Sequence, residues 1–177
     1  LLAILVADGF ETIECLTILD ILRRGGVRAS LVSINDTRDV ISAQQVSITC
    51  DEVFSDVDFD ENDYVVLPGG MPGTNPLRRD ERVCDVVREF AATKHVAAIS
   101  RRSPSILAEP LLEPPRHLLP GFDIDSRRTF AGEKTVVKDG NIITASAMGQ
   151  ALPFALTVLE DIAGERALEK VCEGIQL

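Results

Sequence analysis

The chain alternates between two hydrophobic rhythms. Leu1 to Ala7, Tyr64 to Leu67 and the run led by His95 to Ile99 are near-continuous apolar stretches. That is the pattern of strands buried on both faces of a sheet. Between them lie segments of helical period. Glu11 to Arg24 is apolar at Ile13, Leu16 and Leu19 and again at Cys15, Ile18, Ile21 and Leu22, and Gly25-Gly26 closes it. A stripe this wide predicts contact with more than one surface. Asp80 to Thr93 turns Val83, Val86, Val87 and Phe90 inward.

Ala29 to Ile34 is the next expected strand. Val40 to Gln44 and Val46 to Cys50 read as short, half-exposed strands, and acidic Asp51 to Asp63 as a loop or short helix. Pro104 to Leu112 is an expected helix, followed by an irregular stretch rich in proline. Thr135 to Lys138 and Asn141 to Thr144 flank Asp139-Gly140, which predicts a hairpin with a type I′ turn. Gln150 to Ala163 and Arg166 to Cys172 are the last expected helices. Strands alternating with helices predict a parallel sheet covered on both faces: a doubly wound α/β sandwich. No repeat or linker divides residues 1–177, so one domain is expected.

Composition narrows the function classes. A chain of 177 residues, 45% of them hydrophobic, can bury roughly 70% of its unfolded surface. With 18 Lys+Arg against 28 Asp+Glu the net charge is −10. That balance excludes nucleic acid and anionic membranes as global partners, since both need a basic footprint. No apolar run approaches the roughly 20 residues of a membrane-spanning helix. The chain does not begin with Met, and no basic segment precedes Leu1 to Ala7, so a strand is expected there and not a signal peptide. Cys15, Cys50, Cys84 and Cys172 are scattered, without a CxxC pair, which predicts free thiols in a cytoplasmic protein. With only His95 and His117 available, no metal site is expected.

In an open parallel sheet, ligands bind beyond the carboxyl ends of the strands. Three loops qualify: Ala7 to Glu14, Pro68 to Thr74, and Ile99 to Ser105. The first carries Glu14 in the opening turn of a helix. The second, Pro68-Gly69-Gly70-Met71-Pro72-Gly73, offers backbone amides to an oxyanion. The third is a strand-to-helix elbow beginning at Ser100. Neither GxxxxGK[ST] nor GxGxxG occurs, so no nucleotide cofactor is expected. The elbow also lacks the flanking glycines of GxSxG esterases.

Ala7-Asp8-Gly9-Phe10-Glu11 through Glu14, Asp63-Tyr64-Val65-Val66-Leu67-Pro68-Gly69-Gly70-Met71-Pro72-Gly73, Val96-Ala97-Ala98-Ile99, Pro120-Gly121-Phe122 and Asp139-Gly140-Asn141-Ile142-Ile143-Thr144 occur in this order. Over roughly residues 1 to 164 the chain resembles the ThiJ/PfpI superfamily of glyoxalases, deglycases and intracellular proteases. The resemblance implies a flavodoxin-like, glutamine amidotransferase-like sandwich, usually homodimeric. It implies a reactive Cys on the elbow, hydrogen-bonded by a protonated Glu and served by an oxyanion site. On this chain the Glu maps to Glu14, the amide donors to Gly69, Gly70 and Arg101, and the nucleophile to Ser100.

That last position is a departure. A thiol ionises near neutrality, whereas an alcohol needs an adjacent base. Ser100 reads as a nucleophile or as a small residue filling a tight turn. Arg101-Arg102-Ser103-Pro104 is one residue longer than the family's elbow, and Ser146-Ala147-Met148-Gly149 replaces its late Arg-Gly-Pro-Gly loop. Arg102, His117 and Met148 are the remaining pocket candidates, Arg101 and Arg102 as captors of a carboxylate or phosphate or as surface ion pairs. Three functions follow: a protein of weakened thiol chemistry, a serine hydrolase or acyl-transfer enzyme, or a dimer that binds a small carbonyl or carboxylate ligand or acts as a stress-response chaperone.

Overall fold

The computed structural model describes residues 1–100, Leu107 and residues 136–177. Strand β1 (Leu2–Val6) leads into helix α1 (Thr12–Arg24), then β2 (Ala29–Ser33). A separate hairpin, β3 (Asp39–Ile41) with β4 (Ser47–Thr49), precedes β5 (Glu52–Val53) and β6 (Tyr64–Leu67). Helices α2 (Thr74–Arg79) and α3 (Glu81–Thr93) follow, then β7 (His95–Ile99). The hairpin β8 (Val136–Asp139) and β9 (Ile142–Ala145) leads to α4 (Ala151–Ala163) and α5 (Glu165–Gly174).

Among the described residues seven strands form one sheet in the order β5-β2-β1-β6-β7-β9-β8. All its neighbours are parallel except the β8–β9 pair. The chain builds outward from β1 to β2, then returns across β1 to β6. The loops after β1 and β6 therefore flank the switch point, where a parallel sheet opens a crevice.

Strand β1 shows why its run is unbroken. Leu2, Ile4 and Val6 enter one core with Ile18, Leu22, Phe154 and Val158 of α1 and α4. Ala3, Leu5 and Ala7 enter the other with Leu77, Val83, Val87 and Phe90 of α2 and α3. Period-two alternation thus has two apolar destinations. The wide stripe on α1 divides similarly: Cys15, Ile18, Ile21 and Leu22 are buried, Leu16 and Leu19 are partly buried, and Ile13 is 50% exposed.

Several elements differ from expectation. Strand β5 and the 3-10 turns Phe54–Asp56 and Phe59–Glu61 occupy the stretch read as a loop or short helix. Strand β5 carries no side-chain signal; backbone pairing of Glu52 and Val53 with Val32 and Ser33 defines it. Helix α2 also fills a stretch with no predicted element. The β8–β9 turn is not type I′. Asp139 pairs with Ile142, so Gly140 and Asn141 are its central residues, and only Gly140 has positive φ (58°). That is the sign pattern of type II′. The helix expected at Pro104 to Leu112 lies outside the described residues apart from Leu107, which is helical and buried. No helix among the described residues is long and apolar enough to cross a membrane.

Candidate functional site

The loop after β1 begins with a clamp. Asp8 accepts from the Ile41 amide at 2.8 Å and from Asn35 Nδ2 at 3.1 Å. Gly9 N–H donates to Ile41 C=O at 2.7 Å, and Ala43 N–H to Phe10 C=O at 2.9 Å. The β3–β4 hairpin therefore braces the loop that launches α1. Glu11 is the N-cap, and its carboxylate accepts from Glu14 N–H at 2.7 Å.

Glu14 is 3% exposed. Gly69 N–H donates to its Oε2 at 2.8 Å. Burial pushes the Glu14 carboxyl up to about 7; the Gly69 hydrogen bond opposes that, and the nearby Glu11 charge adds to it. Among the described residues no cation offsets that burial, and a buried acid so placed keeps its proton well above the ordinary carboxylate range.

Gly69 is where the three loops meet. A Cβ on this residue would lie 2.6 Å from Glu14 Oε2, 2.8 Å from Ile99 C=O and 2.8 Å from Ser100 Cβ. Only a residue without a side chain admits the Glu14 carboxyl and the Ser100 side chain so close to one point. Gly70 has φ 114°, and a Cβ there would run into Glu11 N and Gly9 C=O. The glycine-rich turn is pressed against the β1 loop on both counts.

Ser100 follows the last residue of β7, is 6% exposed, and donates its backbone N–H to Ala145 C=O at 3.2 Å. The structure thus brings Glu14, Gly69 and Ser100 together. Two expected amide donors divide: Gly69 N–H is already taken by Glu14, while Gly70 N–H has no partner among the described residues. Met148 sits on a 3-10 turn beyond β9, also at the carboxyl end, and is 46% exposed. Arg101, Arg102 and His117 lie outside the described residues. His95 opens β7 and Ser100 follows its end, so the two stand roughly 16 Å apart.

The cysteines stand apart from this chemistry. All four are free. Cys15 and Cys50 are fully buried members of the core. Burial pushes both thiols up, Cys50 to about 11 with help from Asp51, which leaves neither reactive as a thiolate. Cys84 Sγ donates to Arg78 C=O at 3.3 Å. Sequence reasoning overlooked the roles of Glu11 and Asp8; the Glu-x-x-Glu spacing at the start of α1 was the available signal.

The chain is similar to known proteins over most of its length. The DJ-1/PfpI family profile matches residues 2–161. Protein dj-1beta of Drosophila melanogaster is 31% identical over 97% of this chain and 94% of its own length. The crystal structure of Drosophila melanogaster DJ-1beta superposes with a TM-score of 0.85 at 29% identity, covering 99% of this chain and 97% of that one. The glutathione-independent glyoxalase DJR-1.2 of Caenorhabditis elegans is 27% identical over 92% of this chain and 88% of its own length. The chain belongs to the DJ-1/PfpI family.

Proposed function

We propose that this protein keeps the family's pocket and has weakened thiol chemistry, because Ser100 stands at the nucleophile position. The supporting observation is the convergence of the Ser100 side chain and the Glu14 carboxyl on Gly69. In the family resemblance that carboxyl is the protonated hydrogen-bond donor to a thiolate. A pKa of about 7 leaves Glu14 protonated through the acidic half of the physiological range. A hydroxyl in the same place is not ionised there and gains no nucleophilicity from a neutral acid. The ligand class is a small carbonyl compound or carboxylate, held between Glu14 and the Gly70 amide.

The rival reading makes Ser100 an active nucleophile of hydrolysis or acyl transfer. It needs a base, and the one described histidine is at the far end of β7. Methylglyoxal turnover to lactate separates the readings. Slow turnover that Ser100→Ala leaves unchanged, and that Ser100→Cys raises, is expected. Robust turnover abolished by Ser100→Ala overturns the proposal in favour of an active serine.

A further inference from the structure

The first turn of α1 is a capping box with a third residue set into it. In an ordinary box the N-cap side chain accepts from the N3 amide, and the N3 side chain accepts from the N-cap amide. Here Glu11 is the N-cap and Glu14 stands at N3. One half of the box is intact, since Glu11 Oε2 accepts from Glu14 N–H at 2.7 Å. Gly69 occupies the other half. Glu11 N–H donates to Gly69 C=O at 2.8 Å, and Gly69 N–H donates to Glu14 Oε2 at 2.8 Å. Glu11, Glu14 and Gly69 thus close a ring of hydrogen bonds between α1 and the turn after β6.

Glutamate is an unusual N-cap, where Asn, Asp and Ser are preferred. A capping role alone does not call for this residue. Its acidic head also lies close enough to act on Glu14 electrostatically. We propose that Glu11 is a positioning residue for Glu14, acting through the hydrogen bond it accepts and through its charge. By pinning the Glu14 backbone it aims that carboxyl at Gly69. By adding negative charge beside a buried acid it favours the neutral form. The groups facing Glu14 among the described residues are Glu11 and Cys15 of its own helix segment, the Gly69 backbone and the Ser100 side chain. Cys15 is held neutral by burial, so Glu11 supplies the charge.

The inference rests on reading Glu14 as the carboxyl of the site, but its test needs no turnover. Glu11→Gln keeps an oxygen for the Glu14 amide and removes the charge; Glu11→Ala removes both. Glu14 is titrated by carbon-13 NMR of its carboxyl, assigned with Glu14→Gln. The Gln variant is expected to lower the Glu14 midpoint while leaving the unfolding temperature at pH 5 unchanged. The Ala variant is expected to lower both, and Glu11→Asp, which restores charge and cap, to return the midpoint toward wild type. A midpoint in Glu11→Gln equal to wild type overturns the electrostatic action. Equal unfolding temperatures for Glu11→Ala and wild type overturn the pinning. Methylglyoxal turnover through Ser100 would overturn the functional reading and leave these outcomes untouched.

Discussion

Two buried carboxyl groups sit at opposite ends of the sheet and have opposite surroundings. Asp161 of α4 has an 8% exposed side chain, and it is fully served. Lys138 Nζ of β8 pairs with its Oδ1, and the Tyr64 hydroxyl of β6 donates to its Oδ2 at 3.1 Å. His95 Nδ1 approaches the same oxygen at 3.1 Å, off the line of a hydrogen bond, while its ring stacks on Tyr64. Glu14 has a backbone amide and, among the described residues, no cation. A compensated buried acid ties α4 to three strands and belongs to the architecture. One at the switch point with no described cation beside it keeps its proton toward neutrality, as acids of functional sites often do.

The contrast is most severely broken at Gly69, which supplies the donor that Glu14 does have. Gly69→Ala forces a methyl group into contact with Glu14 Oε2, Ile99 C=O and Ser100 Cβ, and only the Glu14 carboxyl has a flexible side chain with which to give way. Overpacking of this kind costs about 3 kcal/mol. Urea unfolding should show that loss, and the Glu14 midpoint should rise as its donor is displaced. A variant as stable as wild type would show that the three loops do not meet as tightly as described.

Glu14→Gln tests the carboxyl itself. The folded protein holds the Glu14 proton up to about pH 7, whereas the unfolded chain releases it near the ordinary 4.5. Between those values the unfolded state binds fewer protons, so stability falls as pH rises and levels off above the folded pKa. The loss is at most about 3 kcal/mol. Glu14→Gln cannot ionise, so it should match wild type near pH 4 and exceed it at pH 8. Denaturant midpoints at the two pH values give the difference; a gap of the same size at both would remove the ionisation from the account.

Much of the fold was readable from the chain because β1, β6 and β7 are buried on both faces and so leave unbroken apolar runs. The site was readable in part, because a glutamate in a first turn and a Gly-rich turn after a strand are local patterns. What stayed hidden depends on distant partners. The β8–β9 turn was misread because Asn141 has a tertiary duty: its Nδ2 donates to Ala91 C=O at 2.9 Å and to Lys94 C=O at 2.5 Å, closing the end of α3. That duty selects Asn141 for its side chain, not for the positive φ of a type I′ turn. The meeting of Glu14 with Ser100, and the cluster around Asp161, join elements far apart in the chain, and no periodicity encodes either.

The smallest expected effect is also the sharpest, because it repeats one chemical change in the other setting. Asp161→Asn, like Glu14→Gln, turns a buried acid into an amide. The amide oxygen still accepts from the Tyr64 hydroxyl, but Lys138 loses its countercharge. Lys138 keeps a path to water, with 47% of its side chain exposed, so the penalty is well below that of a fully buried broken pair. About 1 to 2 kcal/mol is expected. At pH 8 the two substitutions should therefore have opposite signs, Asp161→Asn destabilising and Glu14→Gln stabilising. If both destabilise equally, burial alone governs these acids and the distinction between a compensated and an uncompensated carboxyl fails.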